Sequence, residues 1–137
     1  MASEKFTTRP ELRGSFGAAA STHWLASQAA MAVLERGGNA FDAGFAGGMV
    51  LQVAEPHLNG PGGDCPIILH KASRRETKVI CGQGPLPRAA SLEAFQALGL
   101  GASVPGTGLL AAVVPGAFGA WLTLLRDYGS WSFADAM

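Results

Sequence analysis

The stretch Phe41–Ala54, which reads FDAGFAGGMVLQVA, constrains this chain more than any other. It has the length and composition of a helix, yet Gly44, Gly47 and Gly48 fall inside it. Each glycine costs about 1 kcal/mol relative to alanine in a helix interior, because it loses more backbone freedom on ordering. Three of them need compensation, and close approach of another backbone supplies it. The sequence therefore predicts that this helix sits in a crowded layer and not at the surface. Its ends are marked as well. Asn39 is placed to cap it, Asp42 at the third position favours the positive end of the helix dipole, and Pro56 pushes Glu55 out of the α region. Gly44 and Gly48 match a G-x-x-x-G spacing. The run falls short of the ~20 apolar residues of a membrane span and carries Asp42 and Gln52, so the match reads as packing in a soluble core.

Upstream, Leu25, Ala26, Ala29, Ala30, Val33 and Leu34 form one apolar stripe at helical spacing, with Ser27, Gln28 and Glu35 opposite. Ser21 or Thr22 offers the N-cap of this helix, and Gly37-Gly38 ends it. Residues 1–13 read as a loose polar arm, residues 14–137 as the body of the chain, and Ser15 to Ala20 as weakly strand-like. Past Pro56, the dense turn Asn59 to Asp64 leads into two short strands, Cys65 to His70 and Thr77 to Cys81, joined by a polar turn at Ala72 to Glu76. A second irregular connection covers Gly82 to Pro87. Ser91 caps a short helix ending near Leu98, and Val104 to Gly108 is loop. Pro115 suits the first turn of a helix running through Trp121 and Leu125 to Asp127, with Gly129 at its end. Ser132 and Asp135 then fit a capping box two residues before the last. A single helical turn is not stable alone, so the natural polypeptide is expected to continue. Helices mixed with short strands give an α/β (α+β) pattern.

Ten basic and ten acidic residues leave no net charge, which gives nucleic acid or an anionic membrane nothing to bind. The N-terminal residues contain no apolar core of a secretory signal, so a cytoplasmic protein is expected. Hydrophobic residues make up 48% and charged residues only 15%, too apolar for disorder and sparse in charge for a small surface. Part of that surface is expected to face other protein. Cys65 and Cys81 could meet across the hairpin, although in a reducing compartment two buried thiols are the expected state.

No nucleophile–base constellation is evident. His23, His57 and His70 lack metal-ligand spacing and read as structural. Ser21-Thr22-His23 resembles a hydroxyl beside its base, but adjacent residues rarely present side chains to one another, and Thr22 reads as a helix cap. Asp42, Glu55 and Asp64 have no spacing that places two on one face. The Gly60 to Gly63 turn could cradle an anion with its N–H groups, although it precedes a strand and matches no phosphate-binding motif. No metal or cofactor is implied.

Several stretches taken in order are more specific. His23-Trp24-Leu25-Ala26-Ser27-Gln28-Ala29-Ala30, Gly37-Gly38-Asn39-Ala40-Phe41-Asp42-Ala43, Val53-Ala54-Glu55-Pro56-His57 and Gly60-Pro61-Gly62-Gly63-Asp64 resemble the opening of γ-glutamyltransferases. Val114-Pro115-Gly116-Ala117, Trp121, Tyr128-Gly129 and Phe133-Ala134-Asp135 fit that family's next block. The resemblance runs from about Gly17 to the last residue. It implies a four-layer αββα N-terminal-nucleophile hydrolase fold, of which this chain is the N-terminal part of the large subunit. It also implies a precursor that cuts itself, so that a Thr heading a Thr-Thr-His-like motif on the small subunit attacks an amide. Thr7-Thr8 is followed by Arg9, and Ser21-Thr22-His23 matches the opening helix cap, so the nucleophile is not in this chain.

One departure bears on substrate. In the family, the strand after the hairpin leads into a Phe-Arg-Glu-like motif whose Arg grips the substrate's α-carboxylate, a task suited to two parallel charged hydrogen bonds. Aligned on Pro87, that place is taken by Gly82-Gln83-Gly84, with Gln83 where the Arg would be. Gln83 is thus the expected substrate-binding residue, able to hydrogen-bond an acyl group without neutralising a carboxylate. Arg88, five residues on, could substitute for the family's Arg, although a displaced Arg reads rather as a surface residue. The expected function is a segment of a γ-glutamyltransferase-like amidohydrolase or acyltransferase that acts on a small-molecule amide. Its partners would be the rest of the large subunit and the Thr-headed small subunit. The alternatives are a non-catalytic truncated fragment persisting as a self-associating homo-oligomer, and a small binding module using the Gly60 to Asp64 turn.

Overall fold

A computed structural model of the chain describes residues 11–101 and 103–137. Most of the expected 1–13 arm lies outside these residues, and residues 11–13 are exposed and irregular. Helix α1 (Trp24–Glu35) and helix α2 (Ala40–Ala54) form an antiparallel hairpin. Ala30 and Val33 of α1 interlock with Ala43 and Ala46 of α2, with Ala19, Leu34 and Trp131 around them. The turn between the helices is a Schellman motif: Gly38 N–H donates to Val33 O and Gly37 N–H to Leu34 O. Gly37 stands at φ +89°, where a side chain would clash with its own backbone.

The cap of α1 differs from expectation. His23 is the N-cap, its Nδ1 accepting from Leu25 N at 3.2 Å. Ser21 Oγ instead donates to His23 O, and Thr22 Oγ1 donates to Glu55 at the far end of α2. Each hydroxyl stands one or two residues too early to meet the open amides of the first turn, Ser21 turning to His23 O and Ser27 Oγ and Thr22 to the partner helix. Ser15 to Ala20 forms no strand, because no second strand lies beside it.

The predicted cap of α2 is present as a full capping box, with Asn39 Oδ1 accepting from Phe41 N and Asp42 N and Asp42 Oδ2 accepting from Asn39 N. Two of the three helix glycines are compensated as expected. A Cβ on Gly47 would lie 3.1 Å from Ala26 O, and one on Gly48 would lie 2.6 Å from the Trp121 ring. Gly44 is different: it is exposed, with nothing within 4 Å of where its Cβ would be. The packed pair is therefore Gly47 and Gly48, about 100° apart on the helix, and not the G-x-x-x-G pair.

Strands β1 (Cys65–Lys71) and β2 (Glu76–Gly82) form an antiparallel hairpin closed by a 3-10 turn at 72–74 and Arg75 at φ 50°. The short helix α3 (Leu92–Ala97) is capped by Ser91, as expected. Helix α4 (Ala117–Tyr128) packs between α2 and the hairpin, with Trp121 against Gly48 and Ala120 against Gly82. Gly116 is its N-cap, so Pro115 precedes the helix and does not lie in its first turn. A last turn, α5 (Phe133–Ala136), is capped by Ser132 Oγ. The antiparallel pairing makes the segment α+β.

The hairpin has one covered and one open face. Leu69 is buried towards α4, whereas the paired Ile68 and Val79 on the other face are 77% and 65% exposed. Two adjacent apolar side chains this exposed mark a face shaped to be covered. Among the described residues no helix is long and apolar enough to cross a membrane.

Candidate substrate-contacting corner

Three backbone segments converge beyond the open end of the hairpin. The register sets Cys65 against Gly82, so Asp64 and Gln83 are the first residues past the last paired position. This brings together two features that are 20 residues apart in sequence, the Gly60 to Asp64 turn and the Gln83 connection. The start of α4 is the third. Gly63 O accepts from Gly116 N at 3.2 Å and Ala117 N at 3.1 Å, and Val114 N–H donates to Pro85 O at 2.9 Å.

Glycine is required for this convergence. A Cβ on Gly82 would collide with Cys65 O and Ala120 Cβ, and one on Gly84 with Val114 O. A Cβ on Gly116 would lie 2.5 Å from Gly84 N and 2.6 Å from Gly82 O. Gly84 also stands at φ +81°, open to glycine and strained for other residues. The residue between Gly82 and Gly84 thus has its backbone fixed on both sides, while its side chain is exposed. That residue is Gln83, and its Oε1 lies 3.6 Å from Cys81 Sγ, which donates to it. Arg88 is exposed on the outgoing loop and makes no ion pair among the described residues.

Of the N–H groups in the glycine turn, that of Gly63 is not available to cradle an anion. Gly63 N–H is used inside the turn, donating to Gly60 O at 3.1 Å, and what the turn offers outward is the Gly63 carbonyl. That carbonyl takes up two of the N–H groups that the start of α4 leaves free. The turn is a clasp for the helix.

The other candidates are dispersed. His23 Nδ1 is engaged as a cap and its ring stacks on Trp24, so it is no base for Thr22. His70 Nδ1 pairs with Thr77 Oγ1 at 2.9 Å on the open face. Among the described residues no group of three His, Cys, Asp or Glu side chains converges on a metal-sized space. Cys65 and Cys81 are free and point to opposite faces, since Cys81 pairs with Pro66. Burial, then the neighbouring Asp64 charge, push the Cys65 thiol up, which disfavours the thiolate a nucleophile needs.

Asp42 has a second role that the sequence did not reveal. It is fully buried and accepts from Ser130 N at 2.9 Å, Ser130 Oγ at 2.6 Å and Trp131 N at 3.2 Å, in addition to Asn39 N. Burial alone would raise its pKa; the hydrogen bonds from Ser130, Asn39 and Trp131 outweigh it and hold the carboxyl below its ordinary value. Asn39 Nδ2 also donates to Tyr128 O at 2.9 Å. The start of α2 therefore clamps the turn between α4 and α5. Only the local half of this, Asp42 three residues after Asn39, was visible in the sequence.

Comparison with known proteins agrees with this architecture. The chain is 35% identical over 118 residues to the glutathione hydrolase-like YwrD proenzyme of Bacillus subtilis, covering 85% of this chain and 22% of that protein. It is also 35% identical over 111 residues to the oxamate amidohydrolase proenzyme of Klebsiella pneumoniae, covering 80% and 20%. Among solved structures it superposes on LmbA2991HD with a TM-score of 0.84 at 57% identity, over 96% of this chain and 22% of that one. The Helicobacter pylori gamma-glutamyltranspeptidase gives a TM-score of 0.81 at 31% identity, over 93% and 37%. The chain thus spans about one fifth of the length of these curated relatives and is part of the N-terminal-nucleophile hydrolase fold, as the family resemblance implied. The profile of the gamma-glutamyltranspeptidase family matches residues 26–137, and the chain belongs to that family.

Proposed function

We propose that this chain is the N-terminal part of the large subunit of a γ-glutamyltransferase-like amidohydrolase, and that Gln83 contacts the acyl group of its substrate. The remainder of the large subunit and a small subunit headed by Thr would complete the enzyme and supply the nucleophile. One observation carries the reading: an exposed Gln83 side chain on a backbone fixed by Gly82 and Gly84, at the end of β2. Fixed backbone with a free side chain is what substrate positioning needs, since small misplacements of a contacting group are costly. The proenzyme relatives support assembly from a processed precursor.

A carboxamide hydrogen-bonds an acyl oxygen but cannot match the paired charged hydrogen bonds of an arginine. The expected substrate is therefore a small amide whose acyl group is not classically γ-glutamyl. Similarity to an oxamate amidohydrolase supports the same view. Native mass spectrometry of the protein in its natural host tests the assembly, with a second polypeptide beginning at Thr as the expected result. Copies of this chain alone would favour the self-associating fragment. In the complete enzyme, Gln83→Arg should raise γ-glutamyl turnover about tenfold, the scale of one charge-assisted hydrogen bond. No gain would remove Gln83 from the acyl site.

A further inference from the structure

We propose that Cys81 is a positioning residue for Gln83, and that the pair presents amide N–H donors to a hydrogen-bond acceptor on the acyl group, a carbonyl or carboxylate oxygen. This rests on the reading of Gln83 as the acyl contact. A carboxamide is ambivalent, since its oxygen accepts and its nitrogen donates. Left free, it could turn to grip either a donor or an acceptor. Here the ambivalence is removed locally. Cys81 lies in the last paired positions of β2 and Gln83 in the bend just past its end, and Cys81 Sγ donates to Gln83 Oε1 at 3.6 Å. With Oε1 engaged, the outward group is Nε2 and its two protons.

The surroundings make a weak contact effective. Gly82 between them is wedged against Cys65 O and Ala120 Cβ, and Gly84 against Val114 O, so neither Cα is free to drift. Only the side-chain torsions of Gln83 are left to settle, and a thiol donor suffices to bias them. The face concerned is the open one that also carries Pro66, Ile68 and Val79. Ammonium-bearing acyl groups, which offer only donors, would gain nothing from such a site. Those with an oxygen at this place would.

The test uses the complete two-subunit enzyme and two probes, 4-oxopentanoyl p-nitroanilide and pentanoyl p-nitroanilide, which differ only in that the first carries a ketone oxygen, an acceptor with no donor. The readout is the ratio of their kcat/KM values. Cys81→Ala should lower the ratio about two- to fivefold through KM with kcat unchanged, the range for one modest hydrogen bond. Cys81→Ser, which keeps a donor, should restore it. In a Gln83→Ala background, Cys81→Ala should have no further effect. A ratio that falls with Gln83→Ala but not with Cys81→Ala overturns the positioning role. A ratio indifferent to Gln83→Ala overturns the acyl-contact reading instead. Nitrogen-15 relaxation of the Gln83 side-chain amide in the complete enzyme gives a readout free of any substrate. The amide should loosen in Cys81→Ala and tighten again in Cys81→Ser; equal order in all three proteins refutes the proposal.

Discussion

Replacing each glycine of α2 by alanine in turn separates the two terms that the sequence placed in opposition. The first term is the same at all three positions: alanine favours the helix over glycine by about 1 kcal/mol. The second depends on what the new methyl meets. At Gly44 there is nothing within 4 Å, so Gly44→Ala should stabilise by about 0.5–1 kcal/mol, or roughly 3 °C in Tm for a chain this size. At Gly47 the methyl would lie 3.1 Å from Ala26 O and 3.3 Å from Ala30 Cβ. Helix α1 would have to move by a few tenths of an ångström, so the gain and the cost should nearly cancel. At Gly48 it would lie 2.6 and 2.7 Å from two atoms of the Trp121 ring, which is wedged between α2 and the core around Phe45 and Leu125. Overpacking costs about 1–3 kcal/mol, so Gly48→Ala should be destabilising by up to about 2 kcal/mol despite its better propensity. Urea unfolding of the three variants reads the order directly. A Trp121→Leu change should shrink the penalty at Gly48 and leave Gly44→Ala untouched. The reasoning fails if Gly48→Ala stabilises as much as Gly44→Ala, because close packing would then not be what compensates the glycine.

Two further predictions concern other parts of the chain. Asp42→Asn sets an amide nitrogen against the donors of Asn39 or Ser130 and removes a buried carboxylate's charge-assisted bonds, and should cost about 2–4 kcal/mol in urea unfolding. Because the folded pKa of Asp42 is depressed, its contribution is fully present above the ordinary value of 3.8 and is lost as pH falls through the lower folded pKa. Acid unfolding of Asp42→Asn should accordingly lack part of the low-pH stability loss; an unchanged acid limb would count against the clamp. For the cysteines, mild oxidation should give no intramolecular disulfide, since the two thiols lie on opposite faces of the hairpin. Mass-resolved alkylation should label exposed Cys81 before half-buried Cys65, and the reverse order would refute the hairpin register.

What could be read from the sequence was largely local. The Asn39 and Ser91 caps, the Gly37-Gly38 stop and the two strands depend on residues within a turn or two of one another, and each was found where its pattern placed it. What failed depended on distant chain. Thr22 looked like a cap because the cap signal is a residue type, yet Glu55, 33 residues away, holds its hydroxyl and leaves the cap to His23. Gly44 and Gly48 looked like a packed pair because spacing alone cannot say which side of a helix is covered. Asp42 gave no hint of Ser130, 88 residues on, because one short acid serves a local cap and a long-range clamp with the same two oxygens.

The candidate site divides between main chain and side chain. Its framework is almost entirely main chain: the Gly63 carbonyl on the first amides of α4, the Pro85 carbonyl on Val114 N, and glycines where any Cβ would collide. Main chain is the same in every sequence, so such a framework can persist while the side chain mounted on it changes. At Gln83 the framework leaves one exposed side chain free to vary. Exchanging arginine for glutamine there alters charge and donor geometry without disturbing the loops that hold it. On the proposed reading of Gln83 as the acyl contact, one substitution at this position would redirect the choice of acyl group at small cost in stability. The converse also follows: alanine at Gly82, Gly84 or Gly116 should damage the corner whatever stands at position 83, since those changes strike the frame and not the contact.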